Sequence, residues 1–311
     1  LKIYNDIKDF STDKATVVTI GTFDGLHCGH KKIINVLKSV AAVEKKESVL
    51  ITFHPHPQLV INPKGYEIKL INSIDEKIHL IENTGIDNLV IIPFNEVIAQ
   101  TDAETFVKKY LIEMVKASEI IVGYDHHFGK DRSGRFTTLV EWGEKYGFST
   151  TYVDPVVIND VIISSTKIRK AINEGDISNA NILLGYDFFI EGKVIQGKKI
   201  GRRIGYPTAN IDTGDNSKII PADGIYLVKI FYGNKEYFGM SNIGIRPTFD
   251  FNNRTIEVNI FDFDKDIYGE IIRVSFIQRL RDELKFENEE KLKEQIFKDK
   301  LLSLEIIKNM Q

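Results

Sequence analysis

The chain has 311 residues, 41 of them basic and 44 acidic, for a net charge of -3. With 42% hydrophobic and 27% charged residues it has the balance of a soluble globular protein, and no apolar run approaches the roughly 18 residues that a membrane helix needs. So small a net charge supplies no field for wrapping duplex nucleic acid, which leaves neither nucleic acid nor membrane as an expected partner.

Apolar runs alternate with helical periodicity through the first half. Strands are expected at residues 16–21, 48–53, 88–93, 119–123 and 149–153. Helices are expected at 31–43, 74–83, 103–115 and 137–146, where apolar residues recur at intervals of three and four. Alternation of this kind implies crossover units and a parallel sheet, hence an α/β fold. Two short helices follow, at 165–173 and 177–184.

After Gly185 the pattern turns to short strands: 188–194, 224–232, 235–243, 255–260 and 271–276. Gly233-Asn234 suits a tight hairpin between two of them. A charged amphipathic helix over 287–307 closes the chain. This second half reads as an antiparallel β-barrel or sandwich with a C-terminal helix, the barrel being the expected form. At this length two domains are a better expectation than one, and the boundary is expected at 184–185, giving domains 1–184 and 185–311.

Cys28 stands alone and forms no internal disulfide, which fits a reducing cytoplasm. No basic-then-apolar leader opens the chain, which begins at Leu1 without a methionine. Of seven histidines, six (His27, His30, His54, His56, His126 and His127) form three clusters in the first half. Imidazole chemistry is therefore expected in that half only.

The first cluster lies in Gly21-Thr22-Phe23-Asp24-Gly25-Leu26-His27-Cys28-Gly29-His30, between the first strand and the first helix. Gly21, Gly25 and Gly29 allow a sharp turn and a close approach to a ligand. The helix start offers unpaired N–H groups to phosphate. His27 and His30, three apart, could donate to phosphate oxygens as charge builds up during transfer. A histidine-bound transition metal is the rival reading, although no Cys-x-x-Cys or His-Glu-x-x-His spacing accompanies them.

Ile163-Ser164-Ser165-Thr166-Lys167-Ile168-Arg169 puts three hydroxyls before a predicted helix and an arginine in its first turns. With the His-x-x-His turn upstream, the pair resembles the nucleotidyltransferase superfamily, whose members clamp ATP phosphates between such elements. That resemblance implies a Rossmann-like domain in which Gly21, Phe23, Asp24, Gly29, Ser164, Ser165 and Thr166 bind ATP, with His27, His30 and Arg169 catalytic. Thr52-Phe53-His54-Pro55-His56-Pro57 and Gly123-Tyr124-Asp125-His126-His127-Phe128-Gly129-Lys130-Asp131-Arg132-Ser133-Gly134 are similar to the FMN adenylyltransferase module of bacterial bifunctional FAD synthetases. The implied flavin contacts are Phe53, Pro57, Asp125 and Phe128. His126 stands where that family usually has an aromatic residue.

In the second half, Gly192–Lys199 is a near miss to a Walker A loop, with Lys199 where the metal-binding hydroxyl belongs, and nothing resembling a helix start follows at 200–205. It is not a P-loop. Thr208 and Asn210, in Gly205-Tyr206-Pro207-Thr208-Ala209-Asn210, alternate and so share a face of an extended segment. Hydroxyl and amide oxygens suit Mg²⁺. Gly197, Gly201 and Gly205 are spaced as a flap over phosphates. Glu257 is a lone carboxylate in the alternating strand Thr255–Ile260, expected to point inward and able to accept a proton from a substrate hydroxyl.

These motifs, with Gly224-Ile225-Tyr226, Ser241–Phe249, Asp266–Glu270 and the stretch holding Arg279 and Arg281, follow the order of the riboflavin kinase module. In bacteria that module is fused behind the adenylyltransferase. The resemblance implies ATP, riboflavin and FMN as substrates, Mg²⁺ on Thr208 and Asn210, ATP contacts from Gly197, Gly201 and Gly205, and flavin contacts from Arg279 and Arg281. Small molecules are the expected partners, and a homo-oligomer stays open. Two rivals also stay open: a transferase for another phosphorylated acceptor, and a flavin sensor without turnover.

Overall fold

The computed structural model describes residues 1–61, 68–124, 129, 134–197, 200–245 and 254–310. Its contacts divide the chain into two compact units, Leu1–Ser165 and Thr166–Gln311.

The first unit is built on β1 (Lys2–Tyr4), β2 (Thr16–Ile20), β3 (Glu47–His54), β4 (Asn88–Pro93), β5 (Ala117–Gly123) and β6 (Ser149–Val153). All pair in parallel, in the order β1-β4-β3-β2-β5-β6. Around them lie α1 (Cys28–Glu44), α2 (Pro57–Ile61), α3 (Ile74–Glu82), α4 (Glu96–Gln100), α5 (Ala103–Phe106) and α6 (Phe136–Tyr146). Strands covered on both faces need unbroken apolar runs. Val17, Val18, Val49, Leu50, Ile51, Leu89 and Val90 supply them, all fully buried. Val18, Ile51 and Val90 face a layer holding Phe106, Leu111 and Leu139. Val17, Leu50 and Leu89 face Ile34, Leu37 and Ala41 of α1 and Ile81 of α3.

From β2 the chain runs outward to β3 and β4, then returns to place β5 on the other side of β2. Open parallel sheets bind ligands beyond the carboxyl ends of the strands at such a reversal. The turn after β2 sits there. The helix expected over 103–115 is not one regular α-helix. After α5 the backbone passes into a π-helical stretch, Val107–Met114, where the Val115 N–H reaches the Tyr110 carbonyl five residues back at 3.1 Å. β1 was not expected, because three residues on a sheet edge carry no readable alternation. After β6, β7 (Val157–Ile158) and β8 (Val161–Ile162) form a short hairpin, turned by Asn159 and Asp160 at φ 49° and 61°.

α7 (Ser165–Glu174) begins on the last residue of the first unit, and α8 (Ile177–Leu184) follows. Both helices bond to residues of the barrel unit. The Ala222 N–H donates to the Ile172 carbonyl at 3.2 Å, and Asn181 Nδ2 to the Phe276 carbonyl at 2.9 Å. The contact division thus falls before α7. Residues 184–185 mark the end of α8, where Gly185 caps it at φ 69°.

The second unit holds β9 (Phe189–Ile195), α9 (Ile200–Arg203), β10 (Ala209–Asp212), β11 (Gly224–Tyr232), β12 (Lys235–Ile245), β13 (Arg254–Ile260), β14 (Ile271–Arg281) and α10 (Glu289–Met310). Its strands close an antiparallel barrel in the order β10-β13-β12-β11-β14-β9. The hairpin at Gly233 joins β11 to β12 as expected, with Gly233 at φ 58°. Gly192, Lys193 and Val194 lie inside β9, where no phosphate loop can form. Inside the barrel, Phe276 meets Phe188 at 5.9 Å and Tyr226 edge-on at 5.5 Å. Outside, Ile225, Leu227, Phe238 and Met240 pack with Ile296, Ile306 and Ile307 of α10.

Candidate active sites

At the mouth of α1 the backbone is forced. Phe23 and Leu26 take left-handed φ values of 47° and 34° beside Gly25 at 87°, a conformation non-glycine residues avoid unless their surroundings impose it. His27 is the N-cap residue, and its Nδ1 accepts the His30 N–H at 3.3 Å. That bond leaves the proton on Nε2. The two imidazoles stack with centroids 3.6 Å apart and planes at 15°, and Phe23 meets His30 edge-on at 5.2 Å. A Cβ on Gly29 would come within 3.1 Å of the His27 ring, so glycine leaves the stack its space. Burial first, then repulsion from the adjoining His27 imidazole when protonated and from the Lys77 ammonium, hold the His30 pKa well below the ordinary imidazole value. His30 is therefore a neutral ring at pH 7.

The turn is braced from α3. Asp24, 1% exposed, accepts the N–H groups of Ile71 at 3.0 Å and Asn72 at 3.2 Å. Ser73 and Glu76 then close α3 with a reciprocal capping box. One residue on, Lys77 is 5% exposed and donates to the Thr22 carbonyl at 2.8 Å. Burial lowers its pKa, against the opposing pull of Asp24. Ser165 Oγ donates to the Asp24 carbonyl at 2.8 Å. Phe23 and Asp24 thus face into the protein, where they shape the turn. Gly21 sits against the Phe23 ring.

Ser164 directly precedes α7, Thr166 is its second residue, and Arg169 lies one turn further along. The Phe53 ring meets Phe94 at 5.5 Å and Phe106 at 6.4 Å, and lines a small apolar cavity with Ile61 and Ile98. Pro57 opens α2. Asp125, His126, His127 and Phe128 lie outside the described residues, as do Lys198, Lys199 and residues 246–253.

The barrel unit carries a cavity of about 340 Å³ between its outer wall and α10. One row of cross-strand neighbours crosses that wall: Asn210 of β10, Glu257 of β13, Asn242 of β12, Ile225 of β11 and Arg281 of β14. All five line the cavity with Thr208, whose Oγ1 donates to Glu257 Oε2 at 3.2 Å. The expectation that Glu257 points inward is corrected. Ile256 and Val258 are the buried alternation of β13, whereas Glu257 opens onto the cavity that Leu292, Ile296 and Asp299 of α10 also line. A two-residue period says which side chains share a face, not which face is inside.

The three glycines do separate jobs. A Cβ on Gly197 would overlap the Asn210 amide. Gly201 lies in α9, where the Tyr206 N–H donates to its carbonyl at 2.7 Å, and the Tyr206 carbonyl leaves no room for a Cβ. Gly205 turns the chain at φ 87°. One helical turn therefore exists over Ile200–Arg203, contrary to the reading of 200–205 as no helix start. The Arg281 guanidinium lines the cavity but is engaged by Asp299 and by the Asp282 carbonyl. Arg279 packs beside Gly175 and Gly224 and pairs with Asp282 at 3.0 Å.

A family model described as FAD synthetase matches residues 9–167, and one described as riboflavin kinase matches residues 184–307. The bifunctional riboflavin kinase/FMN adenylyltransferase of Bacillus subtilis (strain 168) is 38% identical over 301 residues, covering 95% of this chain and 94% of that protein. The chain belongs to the bifunctional riboflavin kinase/FMN adenylyltransferase family. The family member of Buchnera aphidicola subsp. Schizaphis graminum is 39% identical over 309 residues, covering 98% and 96% of the two chains. A crystal structure described as a macrolide-efflux protein from Streptococcus pneumoniae superimposes with a TM-score of 0.89 at 32% identity, covering 97% of each chain. Among the described residues here, no helix is long and apolar enough to cross a membrane.

Within this bifunctional family framework, sequence reasoning passed over Lys77 and Asn242. Ser73-Ile74-Asp75-Glu76 is a legible capping box, but only folding brings Lys77 under the turn at Thr22. Asn242 lies within the Ser241–Phe249 motif, where the sequence alone gives it no role, and the β12–β13 register sets it beside Glu257.

Proposed function

We propose that this chain carries out both steps from riboflavin to FAD, phosphorylation in the barrel unit and adenylylation in the parallel-sheet unit, with the modules taken as residues 1–184 and 185–311. The observation that carries the reading is the presence in one chain of the histidine cap on α1 and the Thr208–Glu257 contact on the barrel wall.

In the barrel, the terminal hydroxyl oxygen of the ribityl chain attacks the γ-phosphorus of ATP. The bond to the β,γ-bridging oxygen breaks, ADP leaves with the electron pair, and the hydroxyl proton passes to Glu257. Thr208 orients that carboxylate. Such transfer asks the protein mostly for positioning and charge neutralisation. Thr208 Oγ1 and the Asn210 amide oxygen are hard donors on one wall of the cavity, and Gly197 leaves the amide its space. This donor set fits Mg²⁺, which when bound neutralises phosphate charge.

In the sheet unit, an FMN phosphate oxygen attacks the α-phosphorus of a second ATP, and pyrophosphate leaves with the electrons of the broken Pα–O bond. The FMN phosphate is already ionised at neutral pH, so the step needs no general base. His27 donates through Nε2, His30 acts as a neutral ring, and the first turn of α1 offers its N–H groups to the phosphates. The likeness of the 163–169 motif supports Arg169 as a cation for the nucleotide, and that of the 52–57 and 123–134 stretches supports Phe53, Pro57, Asp125 and Phe128 as flavin contacts. The lone Cys28 suits the cytoplasm.

Incubation with riboflavin, ATP and Mg²⁺, followed by separation of the flavins, is expected to yield FMN with ADP and then FAD with pyrophosphate. Absence of both products from folded protein overturns the reading.

A further inference from the structure

Besides Arg281, which Asp299 holds, the row of residues that carries Glu257 contains one polar side chain to which the kinase chemistry gives no task. Asn242 on β12 stands directly across from Glu257 on β13, and its neighbour on the other side is Ile225 of β11. Cross-strand partners hold their Cβ atoms about 4.5–5.5 Å apart on one face, so Asn242 opens into the cavity beside the Glu257 carboxylate, and both line it. Asn242 Oδ1 is screened from solvent and, among the described residues, accepts no hydrogen bond. Apolar Ile225 and Met240 stand on the same wall. An amide oxygen left dry and unpaired is uncommon in native proteins and calls for a donor.

We infer that Asn242 contacts the substrate of the kinase site, accepting a hydrogen bond from a secondary hydroxyl of the riboflavin side chain. The inference rests on the riboflavin kinase reading of the barrel. Each carbon of the ribityl chain after the first carries a hydroxyl. With the terminal one at Glu257, another a short way back along the chain falls within the spacing of adjacent strands. The contact selects which hydroxyl is presented to Glu257, and it favours a polyol over a plain alkyl alcohol. A site built around such a bond rejects a ligand that leaves its acceptor unpaired.

The test compares the full-length chain with Asn242→Ala on two flavins, riboflavin and an analogue bearing a 5-hydroxypentyl side chain without secondary hydroxyls. It reads kcat/KM for riboflavin phosphorylation and the inhibition constant of the analogue, with conversion of supplied FMN to FAD as the control for folding. The variant is expected to lose about tenfold in kcat/KM for riboflavin, while the analogue binds as before and FAD formation is unchanged. Equal losses for riboflavin and analogue, or no loss for riboflavin, overturn the inference. Should the alanine variant unfold, Asn242→Leu, which keeps the shape without the acceptor, is read in the same way. Failure of the unaltered chain to make FMN from riboflavin and ATP overturns the kinase reading itself, and this inference with it.

Discussion

Arg281 and Asp299 are joined two-pronged, Nε to Oδ1 at 3.0 Å and Nη2 to Oδ2 at 2.7 Å, and this pair ties the end of β14 to the middle of α10. Gln295 and Ser303 on α10 bond to the same aspartate, which is nearly buried. Removing one partner of a buried pair strands the other charge, at a cost of about 3–5 kcal/mol. Asp299→Ala is therefore expected to lower the urea midpoint of the barrel unit markedly and to reduce riboflavin phosphorylation, since α10 walls that cavity. Unfolding curves and a kinase assay check both effects.

His30→Ala removes one half of the stacked pair that caps α1. Loss of one donor to developing phosphate charge typically costs about 10²–10³ in rate. FAD formation from supplied FMN is expected to fall by that order, while riboflavin still becomes FMN. If both reactions fall together in folded protein, the two-site scheme is wrong.

The depressed His30 pKa carries a sign for stability. Below the ordinary imidazole value of about 6.5 the unfolded chain takes up a proton that the folded chain refuses. Acidification through that range therefore favours unfolding, and the contribution is complete only above it. Between pH 8 and pH 5 the urea midpoint of the unaltered chain is expected to fall more steeply than that of His30→Phe, which keeps an aromatic ring against Phe23 and does not titrate.

Glu257→Gln keeps the shape of the side chain and abolishes its basicity. A positioned general base contributes about 10²–10⁴ in rate, so FMN formation is expected to drop within that range while added FMN is still converted to FAD. Normal phosphorylation in this variant removes Glu257 from the role of base.

Gly197→Ala puts a methyl group where the Asn210 amide lies. Overpacking costs about 1–3 kcal/mol, here by displacing an oxygen assigned to the metal. A rise in the Mg²⁺ concentration needed for half-maximal phosphorylation is expected, with adenylylation untouched. Unchanged metal dependence would argue against Asn210 as a ligand.

Local order in the sequence determined the elements and their kind. Unbroken apolar runs separated by helical periods lead to a parallel sheet, short alternating strands with Gly-Asn turns lead to a barrel, and the ordered motifs identify the family. Those signals lie within a few residues of one another, where spacing alone decides which side chains share a face. Tertiary structure decided what depends on partners distant in the chain. Glu257 looks outward because α10 covers that wall, Asp24 turns inward because the Ile71 and Asn72 N–H groups hold it, and Arg281 is engaged because Asp299 lies opposite. Periodicity gives a side chain a face. Only packing gives that face a neighbour, and with it a charge state and a task.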